Sequence, residues 1–230
     1  MSFEDQGLFL DGNSDPVGVD NTQGDLMDSR SYDFLGKVAY WLDDDQRLQL
    51  TLNHYDIENH NNYVSVTGDR ANGVVTTSER GTPEGDAPYN RVWTTGLSYD
   101  HYDLAGMRLS AQAFYQDYEA LFGATNSATF QDPTIAPVGT FYDQTMAATS
   151  KFGTKVSLTK DDLLDDRLKL TAGFDTLFDE TEQYLYQSNR TYVPSTEYTD
   201  LSPFLQADFR PVDSLLLSAG VRYEYAKLDI

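Results

Sequence analysis

The chain has 230 residues, no cysteine, and a formal net charge of −21 from 16 basic and 37 acidic residues. Nucleic acid is not expected as a partner, because contact with phosphates needs a basic surface. Mean hydropathy is −0.51, and no stretch approaches the roughly 18 consecutive apolar residues of a membrane-spanning helix. A chain of this length is compatible with one undivided β domain.

Two regions follow from the residue pattern. Residues 1–30 are predicted to be loop-like, because Gly, Asn, Asp and Pro are scattered through positions 11–28 without sustained periodicity. Residues 31–230 carry regular alternation of apolar and polar residues and form the predicted β region. The division is therefore an N-terminal segment followed by a β-barrel segment.

Four hairpins are predicted in the second region, each made of two alternating runs around a tight polar turn. In the clearest run, Leu48, Leu50 and Leu52 alternate with hydrogen-bonding residues. A period of two places the leucines on one face of a strand and the polar residues on the other. The four turns lie at 43–46, 104–107, 163–166 and 211–214.

Longer polar connections separate these hairpins, at about 65–90, 123–147 and 188–195. Short turns on one edge and long loops on the other are typical of an outer-membrane β-barrel. The predicted fold is all-β: an antiparallel transmembrane β-barrel segment of about eight strands, with short periplasmic turns and long external loops. A soluble, secreted β-sandwich binding module is the alternative, since alternation by itself is common to both. Several runs exceed about 12 residues, a length that favours the barrel.

The alternation also predicts which side chains face which environment in such a barrel. The leucines expected to face lipid are Leu48, Leu50, Leu52, Leu168, Leu170, Leu205, Leu215 and Leu217. The polar residues expected to face the lumen are Gln49, Thr51, Lys169, Thr171, Gln206 and Ser218.

Three hairpins carry a family resemblance. RSYDFLGK at 30–37, followed by DQRLQLTL at 45–52, resembles a barrel hairpin of TonB-dependent siderophore receptors, and so does DRLKLTAGFD at 166–175. The segment LSPFLQADFRPVD at 201–213, continuing into AGVRYE at 219–224, is similar to another hairpin of that family. The resemblance covers about residues 30–230. It implies a barrel of about 22 strands around a globular plug, together with a short TonB box that contacts the inner-membrane energy transducer.

The resemblance implies a function in transport rather than catalysis: uptake of ferric siderophores across the outer membrane of a Gram-negative bacterium. The TonB–ExbB–ExbD complex would energise the full-length protein, and outer-membrane lipid and lipopolysaccharide would surround it. No plug or TonB box is recognisable, and residues 1–5 lack signal-peptide features. We therefore expect a barrel fragment of a longer receptor. The expected ligand is the ferric siderophore, without a cofactor; haem, cobalamin or an oligosaccharide is the alternative cargo.

Ligand contacts are predicted from cationic and aromatic residues in or beside the external loops. Arginine offers a forked donor and tyrosine a flat amphipathic surface, a combination that suits an anionic chelate. The predicted contacts are Arg70, Arg80, Tyr89, Tyr142, Arg190 and Tyr192. A solvated loop that only holds its own shape is the competing interpretation.

No catalytic arrangement and no metal site are predicted. The segment DGNSD at 11–15 begins like a calcium loop, but Pro16 stands where that loop requires glycine. His54 and His60 are interpreted as polar residues near strand ends, with a metal pair as the weaker alternative.

Overall fold

The computed structural model describes residues 1–16, 28–123, 133–134, 137 and 143–230. Twelve strands lie within them: β1 Ser2–Asp5, β2 Ser29–Trp41, β3 Gln46–Asn59, β4 Tyr63–Val66, β5 Thr77–Arg80, β6 Tyr89–His101, β7 Arg108–Leu121, β8 Thr145–Leu163, β9 Leu168–Leu185, β10 Arg190–Val212, β11 Leu215–Arg222 and β12 Tyr225–Asp229. A 3-10 turn, Arg70–Asn72, lies between β4 and β5. Among the described residues, no helix is long and apolar enough to cross a membrane.

Ten strands form one open antiparallel sheet in the order β1-β2-β3-β6-β7-β8-β9-β10-β11, with β12 also paired to β10. The two remaining strands, β4 and β5, pair only with each other in a separate sheet. The eight predicted strands are confirmed as β2, β3 and β6–β11. The four predicted turns join β2 to β3, β6 to β7, β8 to β9 and β10 to β11.

Three elements fall where the sequence pattern indicated loops. The β4–β5 hairpin lies largely inside the connection predicted at 65–90, and β1 lies inside the N-terminal segment. The long strand β10 begins at Arg190, within the connection predicted at 188–195. Its register against β9 shifts between Thr191 and Val193 and again between Val193 and Thr196. Such irregularities break the period of two and so hide a strand from its sequence.

The cross-strand register confirms that each predicted set shares one face of the sheet. Leu50 is paired with Leu97 of β6, whereas Gln49 is paired with Ser98. The same alternation continues strand by strand to β11, where Leu217 is paired with Phe209 and Ser218 with Asp208. We call the face with the eight leucines the apolar face and the face with Gln49 the polar face.

The large sheet is a single layer within the described residues. Among the strands that the structure describes, extensive contacts occur between neighbours in a sheet and not between other pairs. The apolar face is uncovered: Phe34, Leu205 and Val221 are 56%, 49% and 67% exposed. A β-sandwich would bury that face against a second sheet, so the structure favours the barrel segment.

Almost all buried side chains lie where strands meet the long connections. The buried apolar residues are Ile57, Ala120, Leu121, Met146, Ala147 and Leu185. The buried polar residues are Asp28, Ser29, Asn59, Ser78, Asp143, Gln144, Thr145 and, lower in the sheet, Ser202. We call the strand ends and the described parts of their long connections the rim.

Candidate functional site

A buried glutamine immediately before β8, Gln144, is the centre of the rim. The side chain of Gln144 is fully buried, and its Nε2 donates to the backbone carbonyls of Asp86 at 2.8 Å and Phe122 at 2.9 Å. Its Oε1 accepts from the backbone N–H of Asp86 at 2.7 Å and from the side-chain amide of Gln187. One amide group therefore joins the β5–β6, β7–β8 and β9–β10 connections.

The neighbouring carboxylate extends this network. Asp143 Oδ1 accepts from the backbone N–H groups of Gln144 at 3.0 Å and Gln187 at 2.9 Å. Its Oδ2 accepts from the hydroxyl of Ser188, and that hydroxyl oxygen accepts from Arg190 Nε at 3.1 Å. The predicted ligand contact Arg190 is thus tied to a buried carboxylate through one serine.

Glycine at position 85 is required by the same network. Gly85 has φ +86°, and a Cβ atom there would overlap the side-chain amide of Gln144. Any side chain at this position would therefore be unfavourable for two reasons. It would strain the left-handed backbone, and its Cβ atom would displace the Gln144 amide.

The other end of the rim is held by a histidine–carboxylate contact. Asp28 Oδ1 lies 3.4 Å from His60 Nδ1 and 3.2 Å from the backbone nitrogen of Gly7, which donates to it. The backbone N–H of His60 also donates to the carbonyl of Asp28 at 2.8 Å. These contacts join the segment after β1 to the beginning of β2 and the end of β3.

The structure places the predicted ligand contacts at different points of the rim. Arg80 is paired with Tyr63 in the β4–β5 hairpin, and its guanidinium carbon lies 5.2 Å from the centre of that ring. Tyr192 lies in β10 and is 37% exposed. Tyr142 lies outside the described residues.

Tyr89 and Arg70 occupy different surroundings. Tyr89 begins β6 on the apolar face, where the guanidinium carbon of Arg91 lies 4.0 Å from its ring centre. Its hydroxyl donates to Met146 Sδ at 3.9 Å. Arg70 lies in the exposed 3-10 turn, which Asp69 caps by accepting from the backbone N–H of Ala71 at 3.0 Å.

The polar face carries a mixed-charge surface below the rim. Arg222 Nη1 lies 2.7 Å from Asp175 Oδ2, and Lys151 Nζ lies 2.8 Å from Asp179 Oδ2. An open cavity of about 580 Å³ on this side is lined by residues that include Ser110, Gln112, Lys155, Asp175, Gln206 and Arg222. Charged and amide groups along one face suit a hydrated interior.

Sequence reasoning missed the residues that organise the rim. Asp143, Gln144 and Gln187 lie at the edges of irregular connections, where neither periodicity nor a motif marks them. Within the part of the chain that the structure describes, no group of three or more His, Asp or Glu side chains is arranged to hold a metal ion. His60 contacts Asp28, whereas His54 stacks on Trp93 at 3.9 Å between ring centres.

Similarity to known proteins agrees with this architecture. The chain is 24% identical, over an alignment 252 positions long, to the ferric aerobactin receptor of Klebsiella pneumoniae, covering 99% of this chain and 33% of that protein. It is 22% identical over 249 residues to the rhizobactin receptor of Rhizobium meliloti (strain 1021), covering 97% of this chain and 32% of that protein. The chain therefore spans about one third of the length of these relatives.

A solved structure and a family model agree on the fold. The copper transporter OprC is similar with a TM-score of 0.57 and 15% sequence identity, over 96% of this chain and 31% of that one. The family model described as TonB dependent receptor-like, beta-barrel matches residues 21–229. That match includes all the long strands and their rim, so the chain belongs to the family of TonB-dependent receptor β-barrels.

Proposed function

We propose that this chain forms part of the wall and external mouth of an outer-membrane receptor for ferric siderophores. The observation that carries the proposal is a single-layer sheet with one apolar and one polar face, whose buried residues lie mainly at the rim. The relatives of this chain are named as receptors for ferric aerobactin and rhizobactin. The apolar face would meet lipid and the polar face the lumen. The ferric chelate is cargo, and no cofactor is needed.

The aromatic residues of the apolar face support this orientation. His54 stacks on Trp93 at 3.9 Å, and Phe152 stacks on Phe178 at 6.4 Å between ring centres. Aromatic residues are enriched at the two membrane–water interfaces of transmembrane barrels. Beyond the His54–Trp93 pair, on the rim side of the same face, come charged residues such as Asp56. This charged row would lie among lipopolysaccharide headgroups.

Arg80 with Tyr63, and Arg190 with Tyr192, are the proposed principal ligand contacts. Each set combines a guanidinium with an aromatic ring near the rim, a combination suited to an anionic chelate. Arg70, Tyr89 and Tyr142 complete the proposed set. Energy would come from the TonB–ExbB–ExbD complex, contacted by another part of the full-length receptor.

Ligand titration of the purified full-length receptor tests this proposal. Iron-loaded aerobactin should bind saturably, while haem and cobalamin should not compete. Arg190→Ala should weaken binding about ten-fold, equivalent to about 1.4 kcal/mol. Arg108→Ala is the matched control, because Arg108 lies at the turn end of β7 and pairs with Asp161 at 3.8 Å. Saturable binding of haem or cobalamin in place of aerobactin would assign another cargo.

Cysteine labelling of intact cells tests the sidedness. Cysteines placed at Gly73 and Asn189 should react with an impermeant thiol reagent from outside. Cysteines at Asp44 and Asp165, in the short turns, should react only after the outer membrane is breached. The reverse pattern would contradict the proposed orientation.

A further inference from the structure

We propose that Asp143 and Gln144 are positioning residues that make three rim connections move as one unit and thereby hold Arg190 in place. The inference rests on the proposed function for its ligand, but the mechanical coupling is measurable without one. Its central observation is that the polar atoms of one fully buried amide are satisfied by three different connections.

The coupling follows from the cost of unsatisfied buried polar groups. If the β5–β6 connection moved alone, Gln144 would lose both its acceptor and its donor on Asp86. The amide would keep its bonds to Phe122 and Gln187, but one N–H and one acceptor position would lose their partners in a buried site where water does not replace them. Movement of one connection is therefore opposed unless the other two rearrange with it.

Asp143 gives the unit its second attachment. Its carboxylate is 1% exposed and binds the backbone of Gln187 and the hydroxyl of Ser188. Ser188 in turn accepts from Arg190 Nε. The direction of the Arg190 guanidinium is thus linked to the same pair of residues that joins the connections.

A substitution at Gly85 would disturb the Gln144 amide while leaving Asp143 and Gln144 themselves unchanged. An alanine there would push against the Gln144 amide from the β5–β6 connection. Gly73, in the neighbouring β4–β5 connection, is a matched control because it also has a positive φ, of +72°, and an added Cβ atom there would have nothing within 4 Å. Both substitutions strain a left-handed glycine, but only one touches Gln144.

Hydrogen exchange measured by mass spectrometry on the full-length receptor in detergent tests the coupling. Gly85→Ala should accelerate exchange at least ten-fold in the segments 143–147 and 185–190, as well as in 82–88. Gly73→Ala should leave 143–147 and 185–190 unchanged. Gln144→Ala should accelerate all three segments, whereas Gln49→Ala, whose side chain bonds only within β3, should accelerate none. Acceleration confined to 82–88 in Gly85→Ala would overturn the inference, even if Gln144→Ala fails to fold.

Affinity for iron-loaded aerobactin tests the positioning role. Ser188→Ala should weaken binding several-fold without accelerating exchange in 82–88, because it removes the hydroxyl that joins Asp143 to Arg190 and leaves the bonds between Gln144 and Asp86 in place. Gly85→Ala should weaken binding by a similar factor. Unchanged affinity in a loosened Gly85→Ala receptor would overturn the positioning role. If the variants show the coupled exchange but the unsubstituted receptor does not bind the chelate, the proposed function is contradicted and the coupling stands.

Discussion

The middle of the sheet, between the short turns and the rim, differs from the rim in which side chains are exposed and which are buried. In the middle, both faces are open, and large apolar groups such as Val38 and Val221 are 69% and 67% exposed. At the rim, Ser29, Asp143 and Gln144 are 1% exposed or less. In the proposed orientation, lipid would cover the apolar face of the middle and the hydrated lumen its polar face, whereas the rim has hydrogen bonds of its own to satisfy its buried polar groups.

The largest expected effect on stability comes from placing a charged side chain on the apolar face, in the middle of the sheet. Leu50→Arg or Leu170→Arg in the full-length receptor should lower the free energy of unfolding in lipid vesicles by about 2–4 kcal/mol. The matched control is Thr51→Arg, one residue along β3 on the polar face, which should cost far less. Equal losses for both faces would contradict the assignment of lipid and lumen.

A second effect concerns close packing on the polar face. A Cβ atom added at Gly173 would overlap the ring of Phe204 and approach the carbonyl oxygen of Val156 to 2.7 Å. Gly173→Ala should therefore destabilise the barrel by about 1–3 kcal/mol in a urea titration. Gly220→Ala is the control, because its nearest neighbour would lie at an ordinary 3.5 Å. An equal loss of stability at both positions would show that the Phe204 ring moves aside at no measurable energetic cost.

A smaller and opposite effect is expected at the turn edge, remote from the rim. Leu164, Asp165 and Asp166 have φ values of 55°, 56° and 62°, a left-handed run that side chains disfavour. Leu164→Gly should stabilise the barrel by about 0.5–1 kcal/mol, because glycine adopts this backbone without strain. Asp44→Gly, in a turn where φ is not positive, should be neutral or destabilising. Stabilisation at both turns would indicate a general effect of glycine.

The smallest effect is a local pH dependence in the β4–β5 connection. Hydrogen bonds from the side chain and then the backbone of Asn72 hold the pKa of Asp69 below its ordinary value. Because the pKa is lowered in the folded state, the ionised carboxylate stabilises the turn fully at pH values above the unfolded-state pKa. This stabilisation is lost as the pH falls through the lowered folded-state pKa. Amide exchange at Ala71 and Asn72, corrected for its intrinsic pH dependence, should show protection lost on acidification. Asp69→Asn should abolish that pH dependence; its persistence would implicate another group.

Much of the fold was predictable because its signals are local. The run from Leu48 to Leu52 has a period of two, and the polar turns on one edge are short, so strands and faces follow without knowledge of distant residues. The β4–β5 hairpin was missed because its two four-residue strands are too short to show alternation. The start of β10 was missed because its register shifts interrupt the alternation.

The candidate site was less predictable, and the residues show why. The sequence by itself determined the strand order within each hairpin, the two faces and the cationic and aromatic character of the connections. Only the tertiary structure decided that Gln144 meets Asp86, 58 residues away, and Gln187, 43 residues away. An amide side chain has no intrinsic preference among such partners. Its role is set by which backbone groups the assembled sheet brings within hydrogen-bonding distance and closes off from water.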